Sequence, residues 1–372
     1  MSRMYPHAML REIYEQPDAL AATIAHYAPE GLFRPELFPG VAETFRGRQR
    51  MVIAASGSSR HAGLAGEIML EDLAGLVVDV EYASEYVYRS AYTLQDPGVL
   101  VISQSGETAD TLAALREAKS RGLKTIAITN NPDSTMAQEA DSSLPTIAGR
   151  ETAIPATKSF TTQLCVLYLL TLYLARLGGR MTAQTVSTHL DQLESLPALL
   201  AGRIGIWEQR IEEIANETRS ARGFLYLGRA VHYAIAREGA LKMKESAYVQ
   251  AEGYPAGELK HGPNALVTPD APLVVLATRG ESDPDSVLRY QKTLQLMRDM
   301  HAQGATIFSI CSEGDEEARK LSQYSVTVPT TSEFLLPLLE VVPLQIFAYF
   351  TAVLHGVNVD APRNLVKAVV TE

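Results

Sequence analysis

One pattern limits the fold of this chain more than any other: short apolar runs, each entering a polar turn and then a helix-compatible stretch, recur in the same order in its two halves. In the first half, residues 51–55 enter Ser56-Gly57-Ser58-Ser59 and a helix-compatible run at 61–73. Residues 77–82, 99–102 and 125–129 read as further strands, with a helical stretch at 110–120 between the last two. The pattern resumes at 224–227, which enter Gly228-Arg229, and continues with a helix expected over 233–250 and strands at 273–277 and 306–310. The strand at 99–102 with its turn matches 273–277 with its own, and Gly122 ahead of one strand matches Gly304 ahead of another. Strands that alternate with helices pair in parallel, because a chain leaving one end of a strand needs a crossover to re-enter at the other. The spacing therefore predicts an α/β protein with two similar doubly wound parallel-sheet lobes.

At 372 residues the chain exceeds an average single domain. The expected organisation is a helical N-terminal segment over 1–45, a first lobe over 46–180, a helical connector over 181–220, a second lobe over 221–352 and a tail over 353–372. The N-terminal segment has an apolar face near Met9, Ile13, Leu20 and Ile24, and the connector carries spaced leucines at 190, 193 and 196. A doubly wound sheet places its ligand crevice at the carboxyl ends of its strands, so the turns after strands are where chemistry is sought.

With 46% apolar and 20% charged residues the chain has the composition of ordinary globular proteins, which argues against disorder and a fibrous design. The longest apolar stretch, 164–177, is interrupted by Arg176 and falls short of the roughly 20 apolar residues of a bilayer span, so a buried helix is expected and no membrane partner. No apolar signal core follows Met1-Ser2-Arg3-Met4-Tyr5-Pro6, which implies a cytoplasmic location. Cys165 and Cys311 are the only cysteines and lie in apolar segments; with no CxxC motif or Cys/His cluster, neither disulfides nor a metal or cofactor are expected. A net charge of -10 argues against nucleic acid. It leaves room for a small anion held by helix N-termini in a cleft.

Ser103-Gln104-Ser105-Gly106-Glu107-Thr108 lies between an apolar strand and a helix, where hydroxyls and backbone N–H groups can converge on a phosphate. The competing reading is capping of the next helix by Ser105 and Thr108. Ser56-Gly57-Ser58-Ser59 is a second hydroxyl-rich turn after a neighbouring strand, and neither turn is a GK[ST] loop or a GxGxxG motif. Glu238, Lys242 and Glu245, spaced by four and three, share one helix face; they read either as a surface ion-pair ladder or, on a helix rich in Ala234, Ala236, Ala240 and Ala247, as a packed acid/base cluster. His261 lies in a Gly/Pro-bounded loop and is either an exposed loop residue or an acid/base candidate. Lys367, near the C-terminus, reads by default as a solvated tail charge.

Five blocks carry a resemblance. Ser103-Gln104-Ser105-Gly106-Glu107-Thr108-Ala109-Asp110-Thr111, Ala156-Thr157-Lys158-Ser159-Phe160-Thr161-Thr162-Gln163, Glu238-Gly239-Ala240-Leu241-Lys242, Gly257-Glu258-Leu259-Lys260-His261-Gly262-Pro263 and Asp360-Ala361-Pro362-Arg363-Asn364-Leu365 are similar to the double sugar-isomerase (SIS) domain. More narrowly, they resemble the isomerase half of glutamine:fructose-6-phosphate amidotransferases. The resemblance implies flavodoxin-like lobes and a sugar-phosphate substrate bound by Ser58, Ser59, Ser103, Gln104, Ser105, Thr108 and Glu238. It further implies a catalytic set of Glu245 for C1/C2 proton transfer, His261 for ring opening, Lys367 as a Schiff-base or positioning amine, and Lys242. A homodimer with a shared active site is implied too, the histidine loop coming from the neighbouring subunit. Where the amidotransferases carry a glutaminase domain with a nucleophilic cysteine after Met1, this sequence has Ser2 and no room for that domain, so it is not expected to take nitrogen from glutamine by itself. Smaller departures are Ser56 where the family turn has Cys and Val366 where it has Ala. The expected activity is that of the stand-alone isomerising glucosamine-6-phosphate deaminases, which release fructose 6-phosphate and ammonia. Ammonia-dependent synthesis, action on a related sugar phosphate and a non-enzymatic sugar-phosphate sensor are the alternatives.

Overall fold

The computed structural model describes residues 3–38, 40–45, 47–89, 96–280 and 282–370; Ser2 and Arg46, where the first lobe was expected to begin, lie outside them. Two five-stranded sheets are present, and every strand pairing in them is parallel. The first holds β1 (Arg50–Ala55), β2 (Val77–Tyr82), β3 (Gly98–Ile102), β4 (Thr125–Thr129) and β5 (Ser142–Pro145) in the order β2-β1-β3-β4-β5. The second holds β6 (Gly223–Gly228), β7 (Gln250–Pro255), β8 (Leu273–Ala277), β9 (Ile307–Ser312) and β10 (Tyr324–Val328) in the order β10-β9-β8-β6-β7. Taken from its other edge, the second order is the first with each strand advanced by five. The two similar doubly wound lobes predicted from the alternation are therefore there.

Helices cover both faces of each sheet, which is why the central strands are continuous apolar runs with no alternation. In the first, Leu112, Leu115 and Ala118 of helix Ala109–Ser120 share a buried cluster with Val52, Ala54, Val99 and Val101. The opposite face, marked by Ile53, is met by helix Gly57–Met69, whose Gly63 lets it approach closely. In the second sheet helix Pro284–Ala302 packs Tyr290, Leu294 and Met297 on the face of Leu225, Leu227, Leu273 and Val275. Helix Val231–Ala247 covers the other face, where Gly239 lies against Tyr226 of β6 and Leu344 of helix Leu336–Leu354.

Two compact units are built on these sheets: the first unit, Asp18–Glu151, Lys158–Ser195 and Val366–Glu372, around the first sheet, and the second unit, Met1–Pro17, Thr152–Thr157 and Leu196–Leu365, around the second. Residues 3–17 thus join the second sheet and 366–370 the first. The N-terminal segment is fixed by charges that are fully used: Asp360 caps helix Ala8–Tyr14 by accepting from Ala8 and Met9 N–H, both at 2.8 Å, and buried Glu12 accepts from Thr152 N–H at 2.6 Å. Helices Lys158–Leu177 and Glu333–Leu354 are long and apolar enough to cross a membrane by length and composition; most of each is buried inside the protein.

Local differences from the sequence reading have plain causes. The helix expected over 233–250 ends at Ala247, because Tyr248 adopts a left-handed conformation (φ 58°) and Gln250 opens β7. Strands β5, β7 and β10 carried no sequence signal. β5 and β10 are outer strands of their sheets, as is β7, and their partial burial leaves polar residues, Gly253, Pro145 and Pro255 in place of an apolar run.

Candidate functional site

In the first unit β1 and β3 are neighbours, yet the helices that follow them lie on opposite faces, so the gap between them is the sheet's switch point. Both hydroxyl turns leave the carboxyl ends of these two strands. After β3, Ser103 Oγ stands 2.8 Å from Thr108 Oγ1 and 3.5 Å from Ser105 Oγ. Gly106 N–H donates to Ser103 Oγ and Glu107 N–H to Ser105 Oγ. Thr108 occupies the N-cap of helix Ala109–Ser120, but its side chain makes no capping bond; the hydroxyl turns back to Ser103 instead. The turn needs Gly106, whose φ is +69° and whose Cβ would fall 2.0 Å from Ser134 Oγ. Gln104 is half-buried, and its carbonyl accepts from Asn130 N–H at 3.1 Å.

After β1, helix Gly57–Met69 begins at once, again without a side-chain cap from Ser56. Ser58 and Ser59 lie half-buried in its first turn, and Ser59 Oγ accepts from Nε2 of the buried Gln163 at 3.0 Å. Two helix N-termini and a cluster of hydroxyls at one switch point can meet an anion with donors and no lysine.

The second unit holds Glu238, Lys242 and Glu245 on helix Val231–Ala247. Lys242 Nζ donates to Glu245 Oε2 at 2.6 Å and lies 3.5 Å from Glu238 Oε1. The Glu238 and Lys242 side chains are 0% and 1% exposed and that of Glu245 is 22%, so this is not a surface ladder. Glu245 lines a cleft of about 380 Å³ with Tyr248, Arg363 and Asn364. There the Arg363 guanidinium lies 4.3 Å from the centre of the Tyr248 ring, and the backbone N–H of Arg363 donates to Tyr248 Oη at 2.5 Å. His261 ends the 3-10 helix Ala256–His261; it is exposed and does not join the Glu238–Lys242–Glu245 cluster.

Lys367 belongs to the first unit and is ion-paired: its Nζ donates to Glu151 Oε2 at 2.6 Å. The tail is held a second time two residues on, where Val369 C=O accepts from the N–H of Ala109, the residue that follows the hydroxyl turn. Sequence reasoning did not single out Glu151. In Gly149-Arg150-Glu151-Thr152 it looks like a loop charge, and no local signal marks its burial.

The second sheet fills its own switch point, between β6 and β8, with charge. His232 Nδ1 lies 3.0 Å from Glu340 Oε2 and its Nε2 3.3 Å from Glu333 Oε1; Arg289 pairs with Glu333, and Thr278 donates to Glu340. Burial pulls the imidazole of His232 down, but Glu340 and Glu333 outweigh it and hold its pKa at about 10. Burial pushes Glu333 up, while His232 and Arg289 hold it down at about 2. A satisfied ionic cluster thus stands where the first sheet has its open hydroxyl turns.

Comparison with known proteins agrees with this architecture. The chain is 41% identical over 372 residues to a glutamine–fructose-6-phosphate aminotransferase (isomerizing) of Chlorobaculum tepidum, an alignment that takes in 99% of this chain and 59% of the relative. It therefore spans about three fifths of the length of the curated relatives it matches. Among solved structures, the C-terminal domain of glucosamine-fructose-6-phosphate aminotransferase from Francisella tularensis superposes with a TM-score of 0.90 at 34% identity, covering 97% of this chain and 100% of that one. A glucosamine-6-phosphate deaminase from Thermotoga maritima shares the fold with a TM-score of 0.72 at 24% identity, over 97% of this chain and 99% of that one. The SIS domain model matches twice, over residues 44–173 and 218–355, once on each sheet, and the chain belongs to the SIS domain family.

Proposed function

We propose that this protein is a phosphosugar isomerase that converts glucosamine 6-phosphate to fructose 6-phosphate and ammonia. The observation that carries the reading is the Lys242–Glu245 pair: a packed helix spends a buried ammonium on fixing one part-exposed carboxylate at a cleft. A fixed carboxylate suits proton transfer between adjacent carbons. The isomerising aminotransferases that resemble the chain over 99% of its length support the sugar class.

In this reading the hydroxyls of Ser103, Ser105 and Thr108, with Ser58, Ser59 and Gln104, hold the phosphate and neighbouring hydroxyls. His261 assists ring opening, which exposes the C1 aldehyde. Glu245 carries the C2 proton to C1 while an amine proton passes to O1, which turns the C2 amine into an imine and the C1 aldehyde into a hydroxymethyl group. Lys367 Nζ displaces the nitrogen from C2 as ammonia, and water then frees the ketose. Glu238 and Lys242 hold Glu245. The test is incubation of the protein with glucosamine 6-phosphate while free ammonia and fructose 6-phosphate are followed together. Equal amounts of both are expected. Sugar-phosphate binding with neither product would end the enzyme reading, and turnover of fructose 6-phosphate with ammonium alone would reverse its direction.

A further inference from the structure

We propose that Glu151 is the positioning residue of Lys367 and the acceptor of its proton; this deepens the reading above and rests on the amine role of Lys367. Glu151 lies in the segment between β5 and helix Lys158–Leu177, and its side chain is 0% exposed. Its Oε1 accepts from Ser159 N–H at 3.1 Å, and its Oε2 accepts from Ser159 Oγ at 2.7 Å and from Lys367 Nζ at 2.6 Å. Ser159 N–H is one of the first-turn donors that a helix cannot satisfy internally, so the carboxylate sits where the helix end favours negative charge. Its place is therefore fixed by the fold, and the lysine is fixed through it. Val369, bonded to Ala109, keeps the tail from sliding along this contact.

An isolated lysine titrates near 10.4, so at neutral pH fewer than roughly one in a thousand would be a free amine. A carboxylate in hydrogen-bond contact gives that proton an acceptor inside the site, so the amine is freed at the moment of attack and need not be free beforehand. As the Nζ lone pair attacks the C2 carbonyl of an open-chain ketose, Glu151 takes one ammonium proton, and a second N–H proton goes to the carbonyl oxygen to give a carbinolamine. Glu151 then returns its proton to the hydroxyl, which leaves as water, and the nitrogen lone pair closes the protonated Schiff base. Ammonium and ketone have become iminium and water, with no net proton taken from solvent. The formation rate should accordingly be flat across neutral pH.

The experiment traps the adduct. Protein, fructose 6-phosphate and sodium cyanoborohydride are incubated between pH 6.5 and 9.5, and the peptide bearing Lys367 is quantified by mass spectrometry. Glu151→Gln keeps the shape and cannot take the proton, so labelling should fall at least tenfold at pH 7 relative to wild type, with the deficit closing as pH rises. Glu151→Asp, which retains the carboxylate, should restore the wild-type pH profile at a reduced rate, and it keeps the test decisive where the amide variant does not fold. Equal labelling at pH 7, or a deficit that is the same at every pH, would overturn the proposal. No labelling of Lys367 in the wild-type protein overturns it as well; ammonia release from glucosamine 6-phosphate then shows separately whether the isomerase reading stands.

Discussion

Lys242 Nζ bonds Glu245 at 2.6 Å on one side and meets Glu238 at 3.5 Å on the other, so one buried ammonium serves two carboxylates of different exposure. The two pairings have different consequences. Removing Lys242 takes an ammonium away from the fully buried Glu238, whereas changing Glu245 touches a group at the cleft. Lys242→Met should cost about 3–5 kcal/mol of stability, the scale for breaking one side of a buried ion pair. Glu245→Gln should melt like wild type and lose about 10²-fold or more in turnover. Urea unfolding and the coupled ammonia assay separate the two; a Glu245→Gln protein with full turnover would leave the carboxylate a structural role only.

The hydroxyl turn after β3 gives a binding prediction. Ser103 Oγ is tied to Thr108 and stands within reach of Ser105, so deleting two of these hydroxyls removes donors without opening a large cavity. Ser105→Ala combined with Thr108→Ala should weaken phosphosugar binding by about 1–3 kcal/mol, the scale of hydrogen bonds to a charged group. Calorimetry with glucosamine 6-phosphate measures it, and unchanged affinity would assign both hydroxyls to the turn's own geometry.

The ionic cluster of the second unit predicts a pH window. The pKa of His232 is raised to about 10, so its stabilisation is complete below its ordinary value near 6.5 and is lost as pH rises through about 10. That of Glu333 is lowered to about 2, so its contribution is complete above its ordinary value near 4.5 and is lost as pH falls toward 2. The unfolding midpoint of wild type should therefore decline on the alkaline side between pH 7 and 10. A His232→Asn variant should be less stable at pH 7 and show a shallower alkaline decline. A parallel decline in both proteins would place the alkaline loss elsewhere.

Much of this architecture was legible because the central strands are buried on both faces and so appear as unbroken apolar runs, as in residues 273–277. Outer strands such as Gln250–Pro255 were not, since partial burial lets them hold glycine, proline and charge. For the site, Ser103 to Thr108 could be read because a hydroxyl turn between strand and helix is a local signal. Glu151 could not: its partner Lys367 lies 216 positions away, and only the docking of the tail on the first unit brings them together. The same distance made Lys367 look like a solvated charge. His232, Glu333 and Glu340 were silent for that reason too, being adjacent only once helix Leu336–Leu354 packs against helix Val231–Ala247.

His261 and Lys367 give the last prediction, because their roles lean most on the family resemblance. His261 is exposed at the end of its 3-10 helix, in the loop that the family resemblance implies is supplied by a neighbouring chain. If it does so here, each site takes its histidine from one subunit and its lysine from the other. His261→Ala and Lys367→Ala should then each be nearly inactive as separate homodimers. Mixed in equal amounts with free subunit exchange, about half of the dimers become hybrids, and each hybrid holds one site with both groups intact and one with neither. Activity should return to about a quarter of the wild-type level, read by ammonia release, with exchange followed independently by mass labels. Full exchange without recovery would mean that both groups act from the same chain, or that one of them is not part of the chemistry.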